Sequence, residues 1–367
     1  MNSEPRRTLT RREWLGLVGA GTSLATTAGI GGVLRAAGQR GASPRPLTFP
    51  QGAVVRTLIG DLPPEKLAGG ATLFHEHLSI NISQNPSATH YTDDIAMMVE
   101  EARAAARDGV ACIVDGGHPD MRRNIDALRR ISKESGLPVV ASGGYYMQRT
   151  YPPDVASKTA EQIADGLAAE ASRDRLGAFG EIGQQGGVMT ADEQKVFRAI
   201  GLAQARTGLP IFTHNAYTGR RETQQPVPPD AGLRQLDLLE GAGARPEHIA
   251  IGHVCCLHDP KGEIAIQIAK RGAFVGFDRV TLNAIMPDAD RVIMAMALIE
   301  AGHADRLLLS SDFYSQAALK RNGGPGLAQT ASVFGPMLVK AGLPEATLRQ
   351  ILVDNPRRFL AVVPKLA

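Results

Sequence analysis

What most constrains this chain is a rhythm. From residue 71 onward, short apolar runs alternate with amphipathic stretches, eight times over, at intervals of 25–40 residues. The runs are ATLFHEHL (71–78), VACIVDGG (110–117), PVVASGGYY (138–146), AFGEIG (178–183), PIFTHN (210–215), HIAIGHV (248–254), AFVGFD (273–278) and LLLSSDF (307–313). The stretch MTADEQKVFRAIGLAQARTG shows what lies between them: Thr190 and Glu193 have capping-box spacing, and Gly208 sits at the stop. Eight such units predict a closed (β/α)8 TIM barrel. An open doubly wound sheet is disfavoured, because no glycine-rich phosphate loop follows the first run.

The 367 residues, 43% hydrophobic and 21% charged, suffice for one such domain. Net charge is +3, and much of the basic excess lies in the first 40 residues, at Arg6, Arg7, Arg11, Arg12, Arg35 and Arg40. The near-neutral remainder argues against a nucleic-acid partner. Cys112, Cys255 and Cys256 make no disulfide framework, since neighbouring cysteines bridge only under strain, and Cys112 reads as core. The basic start is followed by an uncharged stretch from Leu15 to Leu34 holding six glycines, too flexible for a membrane span. Thr10-Arg11-Arg12-Glu13-Trp14-Leu15 resembles the twin-arginine export pattern. Residues 1–38 are therefore expected to be a signal read by the twin-arginine machinery, 39–50 a linker, and 51–367 the barrel. The protein would be periplasmic or secreted, or membrane-anchored if the signal stays attached.

In such barrels the chemistry sits at the C-terminal ends of the strands. Those ends hold His75 and His77 (first run), Glu181 (fourth), His214 (fifth), His253 (sixth) and Asp312 (eighth). Strand alternation puts His75 and His77 on one face and Glu76 on the other. Each residue alone has a bland explanation: a strand-end histidine is more often hydrogen-bonded than metal-bound, and Asp312 could cap a helix. Together at one rim they would carry a heavy desolvation and repulsion cost. Two divalent cations would neutralise it. His118, His248, His258 and His303 have no place in this pattern and read as structural or exposed.

The constellation resembles the amidohydrolase superfamily and, within it, the phosphotriesterase-like family. VVRTLIGDLPPEKLAGGATLFHEHL looks like that family's N-terminal hairpin and first-strand signature, and GEIG, THN, IGHV, FDR, SSDF and DNPRRFL follow in order. The resemblance implies a short β-hairpin before the barrel. It implies that His75, His77 and Asp312 hold a buried metal, that His214 and His253 hold a more exposed one, and that Glu181 bridges the two. A bridging glutamate marks the phosphotriesterase-related branch, where better-known members use a carboxylated lysine. Zinc is the default for such donors, with manganese, cobalt or iron as alternatives. The implied reaction is hydrolysis by a hydroxide shared between the metals, attacking a carbonyl carbon or phosphorus, with Asp312 passing its proton to the leaving group.

Two departures bear on substrate. Organophosphate-degrading members carry proton-relaying aspartates after the sixth strand, where this chain has HVCCLHD with Cys255 and Cys256. Thiols, with an ordinary pKa of about 8.5, relay protons poorly at neutral pH. After the seventh strand those enzymes have a histidine, whereas FDRV places Arg279 there, as in the lactonase branch. A lactone or carboxylic ester is the expected substrate. An amidase for N-acylated small molecules, a phosphotriesterase, and a non-catalytic metal- or ligand-binding barrel are the alternatives. Tyr145, Tyr146 and Arg279 are the expected substrate contacts, while Arg220 and Arg221 read as a solvated loop. The partner is a small-molecule substrate, and the chain could pair as a homodimer.

Overall fold

The computed structural model describes residues 47–83, 90–219, 226–363 and 365. The expected export signal, most of the linker, and Arg220 and Arg221 lie outside them. No helix among the described residues is long and apolar enough to cross a membrane.

A two-stranded antiparallel hairpin, β1 (Val55–Arg56) and β2 (Asp61–Leu62), precedes the barrel. Eight strands then follow: β3 (Ala71–Glu76), β4 (Val110–Asp115), β5 (Val139–Gly143), β6 (Ala178–Gln184), β7 (Ile211–Asn215), β8 (Ile249–Ile251), β9 (Phe274–Phe277) and β10 (Leu307–Leu309). All pair in parallel with their sequence neighbours, from β3 to β10. The seam between β10 and β3 is stitched at its upper end, where Asp312 N donates to His75 O (3.2 Å) and His77 N to Phe313 O (2.9 Å). Outside the strands lie α1 (Ile95–Arg107), α2 (Ile125–Ser135), α3 (Ala160–Asp174), α4 (Ala191–Thr207), α5 (Ala231–Gly241), α6 (Glu263–Lys270) and α7 (Asp288–Leu298). The α4 capping box forms as its spacing predicts, with Glu193 N donating to Thr190 Oγ1 at 3.0 Å and Gly208 closing the helix at φ +78°.

Strand alternation sorts the apolar residues into two bodies. Phe74, Cys112, Val114, Val140, Ala178, Phe212, Ala250, Phe274 and Leu308 fill the barrel interior over Phe359 and Leu360. Their neighbours Leu73, Ile113, Phe179, Ile211, Ile251, Val275 and Leu309 join the larger shell packed under the helices. Burying each large side chain contributes about 1.5–3 kcal/mol.

The register shifts in three places, the first between Ala71↔Val110 and Thr72↔Cys112, where β4 advances two residues against one on β3. Between the pairs Leu73↔Ile113 and Glu76↔Asp115, β3 advances three residues against two on β4. Between Phe179↔Ile211 and Ile182↔Thr213, β6 does the same against β7. Each is a one-residue β-bulge, which re-aims the side chains after it. The sixth and eighth runs also form shorter strands than the sequence suggests. Their polar ends leave the sheet because His253 (φ 58°) and Asp312 (φ 50°) take left-handed backbone, which extended structure cannot include.

Candidate metal centre

The irregularities are what assemble the site. Phe74 already faces the barrel interior, so regular pleating would turn His75 outward. The bulge on β3 turns it inward, its ring centroid 4.9 Å from that of Phe212. His77 follows it, and Glu76 points the other way. On β6, Ala178 faces in and Phe179 out; the bulge there, at Gly180, brings Glu181 inward beside Ile182, which faces the shell. Gly180 has φ +149°, and a Cβ there would lie 2.5 Å from the Phe212 ring, so only glycine fits. His214 needs no such device: two residues beyond Phe212, it faces in by simple alternation. His253 and Asp312 are turned inward by their left-handed backbones.

Six side chains, none more than 5% exposed, converge on one point. Glu181 occupies the middle. Its Oε1 is 3.2 Å from His77 Nε2, and its Oε2 lies 2.7 Å from His214 Nδ1, 3.5 Å from His75 Nε2 and 3.5 Å from His253 Nε2. Asp312 Oδ1 lies 3.1 Å from His77 Nε2. The ligand atoms of His75, His77, Glu181 and Asp312 fall within 4.8 Å of one another, as do those of Glu181, His214 and His253. These coincide with the two ligand sets set out above, with Glu181 common to both.

The donors suit a cation. His75 Nε2 is buried and has no hydrogen-bond partner. His253 Nε2 and His214 Nδ1 face each other at 2.9 Å, so one proton must serve both. Without a cation, protons take over its charge. Burial alone would lower His77, but its bonds to Asp312 and Glu181 push it up to about 9. Burial would raise Asp312, but Arg279 and then His77 hold it down to about 2. His214, buried beside His253, falls to about 4 despite the nearby Glu181. Four imidazoles and two carboxylates in a buried site suit divalent metal ions.

Three supporting groups escaped the sequence reading. Asp278 accepts from both His75 Nδ1 (Oδ2, 2.8 Å) and His253 Nδ1 (Oδ1, 3.0 Å), turning both Nε2 atoms toward the centre. The only signal was its place in FDR, read as a family mark. Glu76 accepts from Ser310 Oγ (2.8 Å), Ser311 N (3.0 Å), Ser311 Oγ (2.8 Å) and Phe313 N (2.7 Å), clamping the segment that carries Asp312. Burial pushes its carboxyl up to about 7 against those bonds. His118 is structural, as expected, but belongs to the site's frame. Its Nε2 donates to the Glu181 carbonyl oxygen (3.0 Å), and its Nδ1 lies 2.6 Å from Asp120 Oδ1.

Of the expected substrate contacts, Tyr146 stands over the cluster with its ring centroid 5.0 Å from that of His214. Arg279 comes closer than a substrate clamp would need to. Its Nε donates to Asp312 Oδ2 at 2.8 Å, so part of its guanidinium serves Asp312. Tyr145 does not join them; it packs against Tyr151 and the helix-side shell, on the opposite face from Tyr146. Cys112, Cys255 and Cys256 are buried free thiols. His248 Nδ1 bonds the Phe359 carbonyl, far from the cluster in the fold.

The chain matches the phosphotriesterase family over residues 54–360. It is 32% identical to the phosphotriesterase homology protein of Escherichia coli, across 79% of this chain and 97% of that one. It is 26% identical to the N-acetyltaurine hydrolase of Danio rerio, across 83% and 97%. Among solved structures, a weak promiscuous lactonase used as a template for engineered organophosphate hydrolysis superposes with a TM-score of 0.70 at 26% identity. It covers 84% of this chain and 99% of that one.

Proposed function

The chain belongs to the phosphotriesterase family, and from that premise we propose that this metal-dependent hydrolase cleaves a lactone or carboxylic ester, with zinc as its metal. The observation that carries the ester reading is Arg279, whose guanidinium stands at the mouth beside Asp312, with 17% of its side chain exposed. Bound cations would supply a Lewis acid for the substrate's carbonyl oxygen and make a water acidic enough to attack at neutral pH. The chain's own groups do the rest. Asp278 and the His118 bond fix the ligands' orientations. Asp312, kept ionised by Arg279, takes the proton of the attacking water and returns it to the departing alkoxide oxygen. The other guanidinium N–H groups of Arg279 would be available to a polar substrate group. Cys255 and Cys256 are fully buried in the shell, which fits a leaving group protonated locally by Asp312.

A second reading, an amidase for N-acylated small molecules, draws on the likeness to the N-acetyltaurine hydrolase, which spans most of both chains. A screen of zinc-loaded protein against lactones, aryl esters, N-acyl amino acids and paraoxon-like triesters separates the two. The ester reading expects the highest kcat/KM on a lactone or ester. A lead for N-acyl amino acids would replace it with the amidase, and a lead for the triester, or no turnover at all, would end both. Export through the twin-arginine route belongs to this proposal as well. Arg11→Lys with Arg12→Lys should strand the protein in the cytoplasm, and fractionation finding that variant beyond the inner membrane would refute it.

A further inference from the structure

The segment after β5 is pinned to a degree that an ordinary connecting loop does not need. Buried Asp120 accepts from Tyr146 N (2.8 Å) and Thr150 Oγ1 (2.8 Å) through one oxygen while the other faces His118. Gln185 Oε1 accepts from Arg149 N at 2.9 Å, and Gln148 Oε1 accepts from Thr190 Oγ1 at 2.6 Å. This pinned turn carries two side chains on the cluster's side, Tyr146 against it and Arg149 against Tyr146. Tyr146 packs edge-on against His214, and the Arg149 guanidinium lies 5.7 Å from the centroid of the same tyrosine ring. Tyr146 therefore stands between the ligand cluster and a cation.

That cation is exposed and, among the described residues, has no carboxylate partner. Some exposed arginines elsewhere on the barrel are paired, Arg175 with Asp61, Arg206 with Asp165 and Arg130 with Glu134, and others such as Arg107 and Arg198 are not; what sets Arg149 apart is its place against the ring of Tyr146. Arg279 has its Nε engaged by Asp312, whereas the Arg149 guanidinium, among the described residues, keeps its whole fork open. Such a fork, held over an aromatic face, receives an oxyanion through two parallel hydrogen bonds.

We infer that Arg149 is an anion subsite, and that the substrate carries a carboxylate, sulfonate or similar oxyanion on the end remote from the bond being cleaved. This rests on the ester-hydrolase reading above. It is a statement about substrate binding, since Arg149 lies beyond Tyr146 from the reacting centre.

The test compares two 4-nitrophenyl esters of a short dicarboxylic acid on zinc-loaded enzyme, one with its far carboxylate free and one with it methylated. In the wild type the free acid should be preferred. In Arg149→Gln the ratio of kcat/KM, free acid to methyl ester, should fall roughly ten- to a hundred-fold, the scale of a charged hydrogen bond, with the fall carried by KM. Arg149→Lys should recover part of the ratio, and Arg149→Glu should lower it further. Because the ratio is taken within each variant, a general loss of folded protein cannot imitate the effect. A ratio unchanged in Arg149→Gln overturns the subsite while leaving the hydrolase reading in place. A wild type that cleaves neither ester overturns the ester reading and the subsite with it.

Discussion

Phe74 and His75 are neighbours in the chain, yet they belong to differently built parts of the barrel. Phe74 sits in the floor, its ring 6.3 Å from those of both Phe212 and Phe359 in edge-to-face contact. Most floor residues arrive there by plain alternation along a strand, with Phe359 and Leu360 supplied by the helix Asn355–Leu360 and Cys112 following a register shift. His75 sits in the rim, where Glu181 also follows a bulge and His253 and Asp312 use left-handed backbone. His214 alone reaches the rim by continuing the floor's rhythm. The difference teaches where the stability is held and where it is used. The floor gains from burial without special geometry, whereas the rim holds costly charged groups in costly backbone, persisting because the floor and the flanking hydrogen bonds over-determine it.

The comparison can be broken most sharply at Asp312. Asp312→Asn should preserve the far-ultraviolet circular dichroism while lowering kcat by roughly 10²–10⁴, the usual scale for a lost acid–base group. Near-normal turnover would remove Asp312 from the chemistry. Next in size is a floor change, Phe274→Ala. Phe274 packs on Phe359 (centroids 5.6 Å apart) and touches none of the ligands, so the cost should be about 3–5 kcal/mol in denaturant unfolding. Metal content per folded chain, read by elemental analysis, should not follow it; a parallel loss would show that floor and rim are one unit. Removing the metal by chelation should then lower wild-type stability by about 2.7 kcal/mol for each site held at a hundredfold excess over its Kd. The decrement should persist in Phe274→Ala and shrink in His75→Ala. The smallest effect is Gly180→Ala, which pushes a methyl against the Phe212 ring: about 1–3 kcal/mol, accompanied by reduced metal content. If only stability falls, the bulge on β6 does not serve Glu181.

Much of this was legible in the sequence. The eight strands start within a residue of where the apolar runs start, and the hairpin lies where the resemblance implies it. The six clustered side chains were visible as polar residue types at strand ends. What was hidden depends on contacts across the ring. Asp278 meets His75 from 203 positions away, and Glu76 meets Ser310 from 234, distances at which no spacing rule operates. The bulges were hidden too, since an extra residue in one strand shows only against its partner's register. Tyr145 and Tyr146 make the point within one dipeptide: beyond the end of β5 alternation no longer says which of the two faces inward. Arg279 was read as a substrate contact, and the engagement of its Nε by Asp312 follows from side-chain reach, which a strand pattern does not encode.

The stitched seam has a consequence for the order in which this molecule comes into being. The carboxylate of Glu76 finds its four donors only in residues 310–313, and both belong to the wall that closes the ring. A nascent chain emerging from the ribosome therefore cannot complete the cage, however many strands have already paired. Until the eighth strand docks, Glu76 has no donors and His75 and His77 face a gap. Contacts of such long sequence separation raise the contact order and place closure late in folding. A chain halted before Ser310 is thus predicted to release no metal-competent intermediate, so cation uptake must wait for the ribosome to finish.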